Sequence, residues 1–185
     1  SGLNDTGATS NYISKLMSIG IIEKEFPYKA EHSRKTIYKL SDSMFQFWYR
    51  FVPANLSLIG QGAGDRAYQR VEKQIPAYMG FVFEEICKQY LWQENLKGNL
   101  PVDFQDMGRW WGNDPVEKRQ TEIDILADNE EGEAIFAECK WRNELTSEAE
   151  LKELQHQSAL FHYKKNVLIL FSKSGFTVGC RELAE

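Results

Sequence analysis

Residues 121–141 read TEIDILADNEEGEAIFAECKW. Glu122 to Asp128 alternates as a strand, with Ile123, Ile125 and Ala127 set on one face. Asn129 to Gly132 predicts a turn in which Gly132 takes positive φ. Glu133 to Trp141 predicts the returning strand. A turn centred near Glu131 sets Asp124 opposite Glu138, and period two puts Glu138 and Lys140 on one face and Cys139 on the other. Directly opposed β-carbons lie roughly 5 Å apart. Two carboxylates that close repel unless a proton or cation stands between them. A hard divalent ion resolves the conflict, held by one or two carboxylates and completed by water and phosphate. Lys140 beside it would orient a water and stabilise charge on a phosphoryl oxygen. These are the parts needed to hydrolyse a phosphodiester. The same residues also fit a plain solvent-facing strand whose charges alternate.

Outward from this hairpin, Pro76 suits the first turn of a helix, and Tyr78, Phe81, Val82, Ile86 and Tyr90 keep helical spacing to about Trp92. Arg109 to Trp111 predicts a short strand. Leu145 to Tyr163 predicts a helix, and Asn166 to Ser172 (NVLILFS) a strand buried on both faces. Helix, three strands, helix, strand, with a right-handed final crossover, predicts an α/β sandwich with a mixed sheet. Trp110 and Trp111 either stack on bases or place one ring in the core. Gln155 or Gln157 either contacts phosphate or a metal-bound water, or lies on a solvated helix face. His156 and His162 have no metal-like partners and read as surface residues.

The first 41 residues have a different texture. Asn11 to Ile19 has helical spacing, with Ser10 as N-cap and Gly20 as stop. Ile21 to Phe26 and Thr36 to Leu40 predict strands around the basic Pro27 to Lys35. This is the order of a recognition helix and a wing, in which Lys15, Arg34, Lys35 and Lys39 would contact phosphates. A winged helix needs two further helices, so the parent protein is expected to extend upstream. Residues 42–75 read as an aromatic helical linker. Its Phe45, Phe47, Trp48, Tyr49 and Phe51 form a packing helix or an interface for a second copy or a neighbouring domain. Gly60, Gly62 and Gly64 lack a following Gly-Lys-Ser/Thr, so they predict a turn and not a P-loop. Residues 76–185 form the third region.

Bulk properties set the outer bounds. At 185 residues, 42% hydrophobic and 26% charged, the composition is that of a soluble globular protein. No run approaches the roughly 20 apolar residues of a membrane span, and Ser1 to Ser10 is no signal peptide. Cys87, Cys139 and Cys180 lack C-x-x-C spacing, which argues against a disulfide framework or a zinc site and for a reducing, cytoplasmic setting. The net charge of −5 weighs against tight DNA binding by the whole chain. Residues 1–50, however, carry seven Lys/Arg against five Asp/Glu.

AECKW preceded by TEIDILA resembles the PD-(D/E)XK nuclease superfamily, with its restriction-endonuclease-like αβββαβ core. On that resemblance Asp124 is the first acid, with Ile123 where the pattern has Pro, and Glu138 and Lys140 are the E-x-K. Glu84 in YMGFVFEEI, preferred to Glu85, supplies the helix acid. The resemblance implies a Mg²⁺- or Mn²⁺-dependent deoxyribonuclease, with Asp124, Glu138 and Glu84 on the metal and Lys140 at the water. YKLSDSMFQFWYRFVPAN, IPAYMGFVFEEIC, EIDILA, ECKWR and LILFSKSGF together resemble the C-terminal region of archaeal-type P-loop ATPases. That likeness implies an upstream ATPase domain as partner, with ATP bound only there; DNA is the partner expected of the nuclease-like domain and the winged-helix segment. An inactive DNA-binding or regulatory module of such an ATPase is the alternative. An exposed Asp124 would contribute little to stability, so Asp124→Ala is expected to leave the fold nearly intact.

Overall fold

A computed structural model describes residues 6–30 and 35–185. Arg34, one of the expected phosphate contacts, lies outside the described residues. The chain divides into two compact units, Ser1–Phe26 with His32–Gln74 and Pro27–Glu31 with Ile75–Glu185.

In the first unit α1 spans Thr6–Ser18. It begins ahead of the expected Asn11, and Ser10 lies inside it instead of capping it, because no proline interrupts residues 6–10. Gly20 ends it at φ +72°, with its N–H on the Met17 carbonyl and the Ile21 N–H on the Leu16 carbonyl. That is a Schellman closure, which needs a left-handed residue. Strands β1 (Ile22–Glu25) and β2 (Ile37–Leu40) pair antiparallel, Glu23 opposite Lys39. Helix α2 (Ser43–Phe51) is capped by Asp42, whose carboxylate accepts the Phe45 N–H. The glycine stretch forms a turn between α3 (Leu56–Gly60) and α4 (Gly64–Val71), with Gly62 at positive φ.

The second unit is a mixed α/β fold with a four-stranded mixed sheet flanked by helices, in a PD-(D/E)XK-like topology. Helix α5 spans Ile75–Leu96. The strands are β3 (Asp106–Asp114), β4 (Arg119–Asp128), β5 (Glu133–Lys140) and β6 (Lys165–Ser172), in that spatial order. The first two pairings are antiparallel and β5–β6 is parallel. The crossover helix α6 is Glu148–Ser158, shorter at both ends than the sequence predicts. Ser147 and Glu150 form a capping box that fixes its start, and the chain leaves the helix at Ala159. A last helix α7 (Val178–Ala184), capped by Thr177, has no counterpart in the sequence reading. Strand β6 is a partly exposed edge and not a strand buried on both faces. Among the described residues no helix is long and apolar enough to cross a membrane.

Two cores cover the sheet. Cys87, Leu91, Ile125, Ala127, Ile135 and Ala137 form one, with Phe83 packed against it. Ile123, Leu126, Ala134, Phe136 and Leu154 form the other, with Trp110 and Phe161. Ile123 therefore does not share a face with Ile125 and Ala127. The cause is a β-bulge. Gly108 pairs with Leu126, but Trp110 pairs with Ile123, so β4 spends one extra residue there. Asp124 sits at that extra step.

On the outer edge of β3, the Tyr28 N–H donates to the Arg109 carbonyl at 2.8 Å. A β-carbon on Gly108 would stand 2.9 Å from the Tyr28 ring, so only glycine lets this segment close on the strand.

Candidate active site

The β4–β5 register runs from Asp128↔Ala134 to Ile125↔Ala137. Continued by one residue it sets Asp124 opposite Glu138. The bulge takes Asp124 out of the ladder, and its Oδ2 accepts the Cys139 N–H at 2.8 Å. The backbone of β5 thus fixes the carboxylate beside Glu138. Asp124 is only 6% exposed, which corrects the expectation of an exposed side chain. Its removal strands a buried N–H, which costs about 1–3 kcal/mol, so Asp124→Ala is not neutral for folding.

Glu138 and Lys140 continue the alternation of Ala134 and Phe136, and Lys140 is ion-paired with Glu138. Cys139 turns to the opposite core beside Cys87. Burial, reinforced by Asp124, pushes the Glu138 carboxyl up to about 7 against the pull of Lys140. Burial also raises the Asp124 carboxyl, opposed by the Cys139 N–H and Lys140. For Lys140, burial lowers the ammonium, but Glu138 outweighs it and holds the group above its ordinary value. Glu84 on α5 is pushed to about 7 by burial and then by Asp124. Glu85 instead pairs with Lys88. Arg109 and Glu122 form a further ion pair at 2.6 Å, and both act on Asp124 and Glu84. Sequence reading missed this pair, because its partners lie on different strands.

Four carboxylates (Glu84, Glu122, Asp124 and Glu138) therefore share one electrostatic environment with Lys140 and Arg109. Like charges in a partly dry site force a proton or a cation onto the group. The donors are hard oxygens, with Cys139 turned away, a set that suits a hard cation and not a thiolate-seeking metal.

A second cluster lies at the far end of the β3–β4 hairpin. Ligand atoms of Asp114, Glu117 and His156 all fall within 4.8 Å of one another, an arrangement able to coordinate a metal. Among the described residues this is the trio that comes together so tightly; Glu84, Asp124 and Glu138 do not. His156 is thus not the unpartnered surface residue that the sequence suggests. Its Nε2 lies 2.6 Å from Asp114 Oδ2, and that bond raises the imidazole. Asp114 is 1% exposed, and its Oδ1 accepts the N–H groups of Val116 and Glu117 in the hairpin turn. Burial would raise its carboxyl, but these donors and His156 together hold it low.

Gln157 is buried, not solvated, and donates to Thr121 Oγ1 at 2.8 Å and the Glu122 carbonyl at 3.0 Å, tying α6 to β4. Gln155 is exposed. Trp110 takes the core position, edge-on to Phe161, while Trp111 lies under the Arg109 guanidinium. In the first unit Lys15 is exposed, whereas Lys39 is paired with Glu23 and Glu25 across the hairpin. A phosphate at Lys39 would share the ammonium with both carboxylates.

Residues 48–154 match the family DUF234, described as archaea bacterial proteins of unknown function. An uncharacterized protein of Methanocaldococcus jannaschii, MJECL04, is 33% identical over 134 residues, covering 71% of this chain and 29% of that protein. The chain thus spans under a third of the relative that it matches. No solved structure matches. With more than half of its residues inside the family model, the chain belongs to the DUF234 family.

Proposed function

We propose that the second unit is a metal-dependent nuclease-like domain of the PD-(D/E)XK kind, acting on DNA phosphodiesters. The observation that carries the reading is the buried Asp124, bonded to the Cys139 N–H beside the partly buried Glu138, with Lys140 bonded to Glu138. Asp124 and Glu138, with Glu84 completing the set, would hold Mg²⁺ or Mn²⁺. The ion would supply a Lewis acid and lower the pKa of a bound water. Asp124 is held rigidly by the Cys139 N–H, so it brings its charge to one fixed place. Glu138 holds the Lys140 ammonium, which keeps that cation protonated and aimed at developing negative charge. Glu84, whose carboxyl burial pushes to about 7 without an ion, would give up its proton on taking its place in the set.

Helix α1 and the β1–β2 hairpin support a partial winged helix over residues 1–41, in which Lys15, Arg34, Lys35 and Lys39 would contact phosphate, followed by an aromatic helical linker over 42–75. The several motifs shared with archaeal-type ATPases support a place in the C-terminal region of such a protein, with ATP bound in that other domain. Incubation of single-stranded, duplex and branched DNA with Mg²⁺ or Mn²⁺ tests the reading, beside Lys140→Ala and Glu138→Gln. Cleavage lost in both variants supports it. Equal cleavage in either would sink it.

One observation favours a second reading, an inactive regulatory module: among the described residues the ligand atoms that gather within 4.8 Å are those of Asp114, Glu117 and His156, not the carboxylates around Asp124. Metal affinity lost in His156→Gln and kept in Asp124→Asn would favour that module.

A further inference from the structure

Lys173 follows β6 and is locked to the end of β5, its N–H donating to the Lys140 carbonyl at 3.0 Å. Its ammonium stands 5.0 Å from the centroid of the Trp141 ring and 2.7 Å from Asn143 Oδ1. Trp141 packs 5.3 Å from Phe83, the neighbour of Glu84 on α5. The ring that holds this cation thus packs on the residue next to Glu84 in sequence.

The other cations around the carboxylates are matched. Lys140 pairs with Glu138, Arg109 with Glu122, Arg142 with Glu150 and Lys88 with Glu85. The Lys173 ammonium has instead an amide oxygen and a ring face, both neutral. Among the described residues no carboxylate pairs with it, and an ammonium has three donors, of which Asn143 takes one. A polyanion approaching four carboxylates needs such a cation where it enters.

We propose that Lys173, set by Trp141 and Asn143, is a phosphate-binding subsite that holds a polynucleotide strand at a phosphate flanking the scissile one. This rests on the nuclease-like reading of Asp124, Glu138 and Lys140. The ammonium neutralises one backbone phosphate as a point charge, and the bound strand then runs past Lys140. Free phosphate has the same headgroup chemistry but gains nothing from reaching two lysines at once.

The test measures binding of labelled single-stranded and duplex DNA by fluorescence anisotropy across a salt series, with Ca²⁺ as the divalent ion. It compares the unaltered chain, Lys173→Gln, Lys173→Arg and Asp124→Asn, each shown folded by circular dichroism. Losing one phosphate contact flattens the slope of log K against log salt by about 0.7 for single strands and about 0.9 for duplex. Lys173→Gln is expected to show that loss, Lys173→Arg to keep the original slope, and inorganic phosphate to compete only weakly. An unchanged slope in Lys173→Gln, undetectable DNA binding by the unaltered chain, or displacement of DNA by inorganic phosphate at low concentration overturns the subsite. Cleavage with Mn²⁺, followed in parallel, separates the two ideas. Cleavage lost in Asp124→Asn with an unchanged Lys173→Gln slope keeps the nuclease-like reading and removes the subsite. A flattened slope in a chain that never cleaves does the reverse.

Discussion

Asp124 and Asp128 lie on the same strand, four residues apart, and are 6% and 5% exposed. Their surroundings are opposite. Asp128 accepts the Tyr28 hydroxyl at 2.9 Å and the Tyr163 hydroxyl at 2.6 Å, and pairs with Lys29. Burial would raise its carboxyl, but Lys29 and the two hydroxyls hold it low, and the two tyrosines are raised in turn, by burial first. Asp124 has one backbone donor, and Glu84 and Glu138 are raised by burial and then by its charge. A buried charge with a full set of donors fastens a fold. One left among like charges is kept at a cost to stability, which points to chemistry.

The largest expected effect comes from removing the uncompensated charge. Asp124→Asn keeps an acceptor for the Cys139 N–H, so its metal-free fold should melt no lower than that of the unaltered chain. Metal-dependent cleavage should fall at least about 100-fold. A melting loss with cleavage preserved would place Asp124 beside Asp128 as a structural residue. The converse variant, Asp128→Ala, strands the Tyr163 hydroxyl, removes the partner of Lys29 and leaves Tyr28 only the Asp106 carbonyl. It should lower stability by about 2–4 kcal/mol in denaturant titration, while turnover of the folded fraction persists.

The third expectation concerns pH. Glu84 and Glu138 move from an ordinary 4.5 to about 7 on folding. Between those values the native state holds more protons than the unfolded one, so metal-free stability falls as pH rises through this window. The fall is on the order of a few kcal/mol, and Mn²⁺ should restore it at the upper end. Thermal melts at pH 5, 7 and 8 with and without Mn²⁺ check this. Stability that stays flat with pH would make the two carboxyls ordinary. The smallest effect belongs to His156→Gln, which removes the imidazole from a carboxylate still held by the Val116 and Glu117 N–H groups and should lower the melting temperature less than Asp128→Ala does.

The hairpin was legible from TEIDILAD and AECKW because a turn at Glu131 fixes the register across both strands, and Gly132 takes φ +85° there. The parallel β5–β6 pair followed from the crossover helix between them. The bulge was not legible, since one extra residue in β4 shows only against its partner β3, and it moved Ile123 to the other core. Asp128 was read as a strand end because its donors come from residues 28, 29 and 163. The trio of Asp114, Glu117 and His156 was invisible for the same reason: a hairpin turn and a helix 42 residues away bring it together.

The parallel pairing of β5 with β6 has a consequence for biosynthesis. The β4–β5 hairpin closes across a tight turn, whereas β6 must return over residues 141–164 before it can pair. Loop-closure entropy favours the hairpin first. A growing chain therefore displays the acidic hairpin with β5 as a bare edge until Lys165–Ser172 has left the ribosome. Glu138 and Lys140, at the end of that edge, place charges where an apolar strand would invite pairing with another nascent chain. The residues proposed for chemistry would also guard the unfinished sheet.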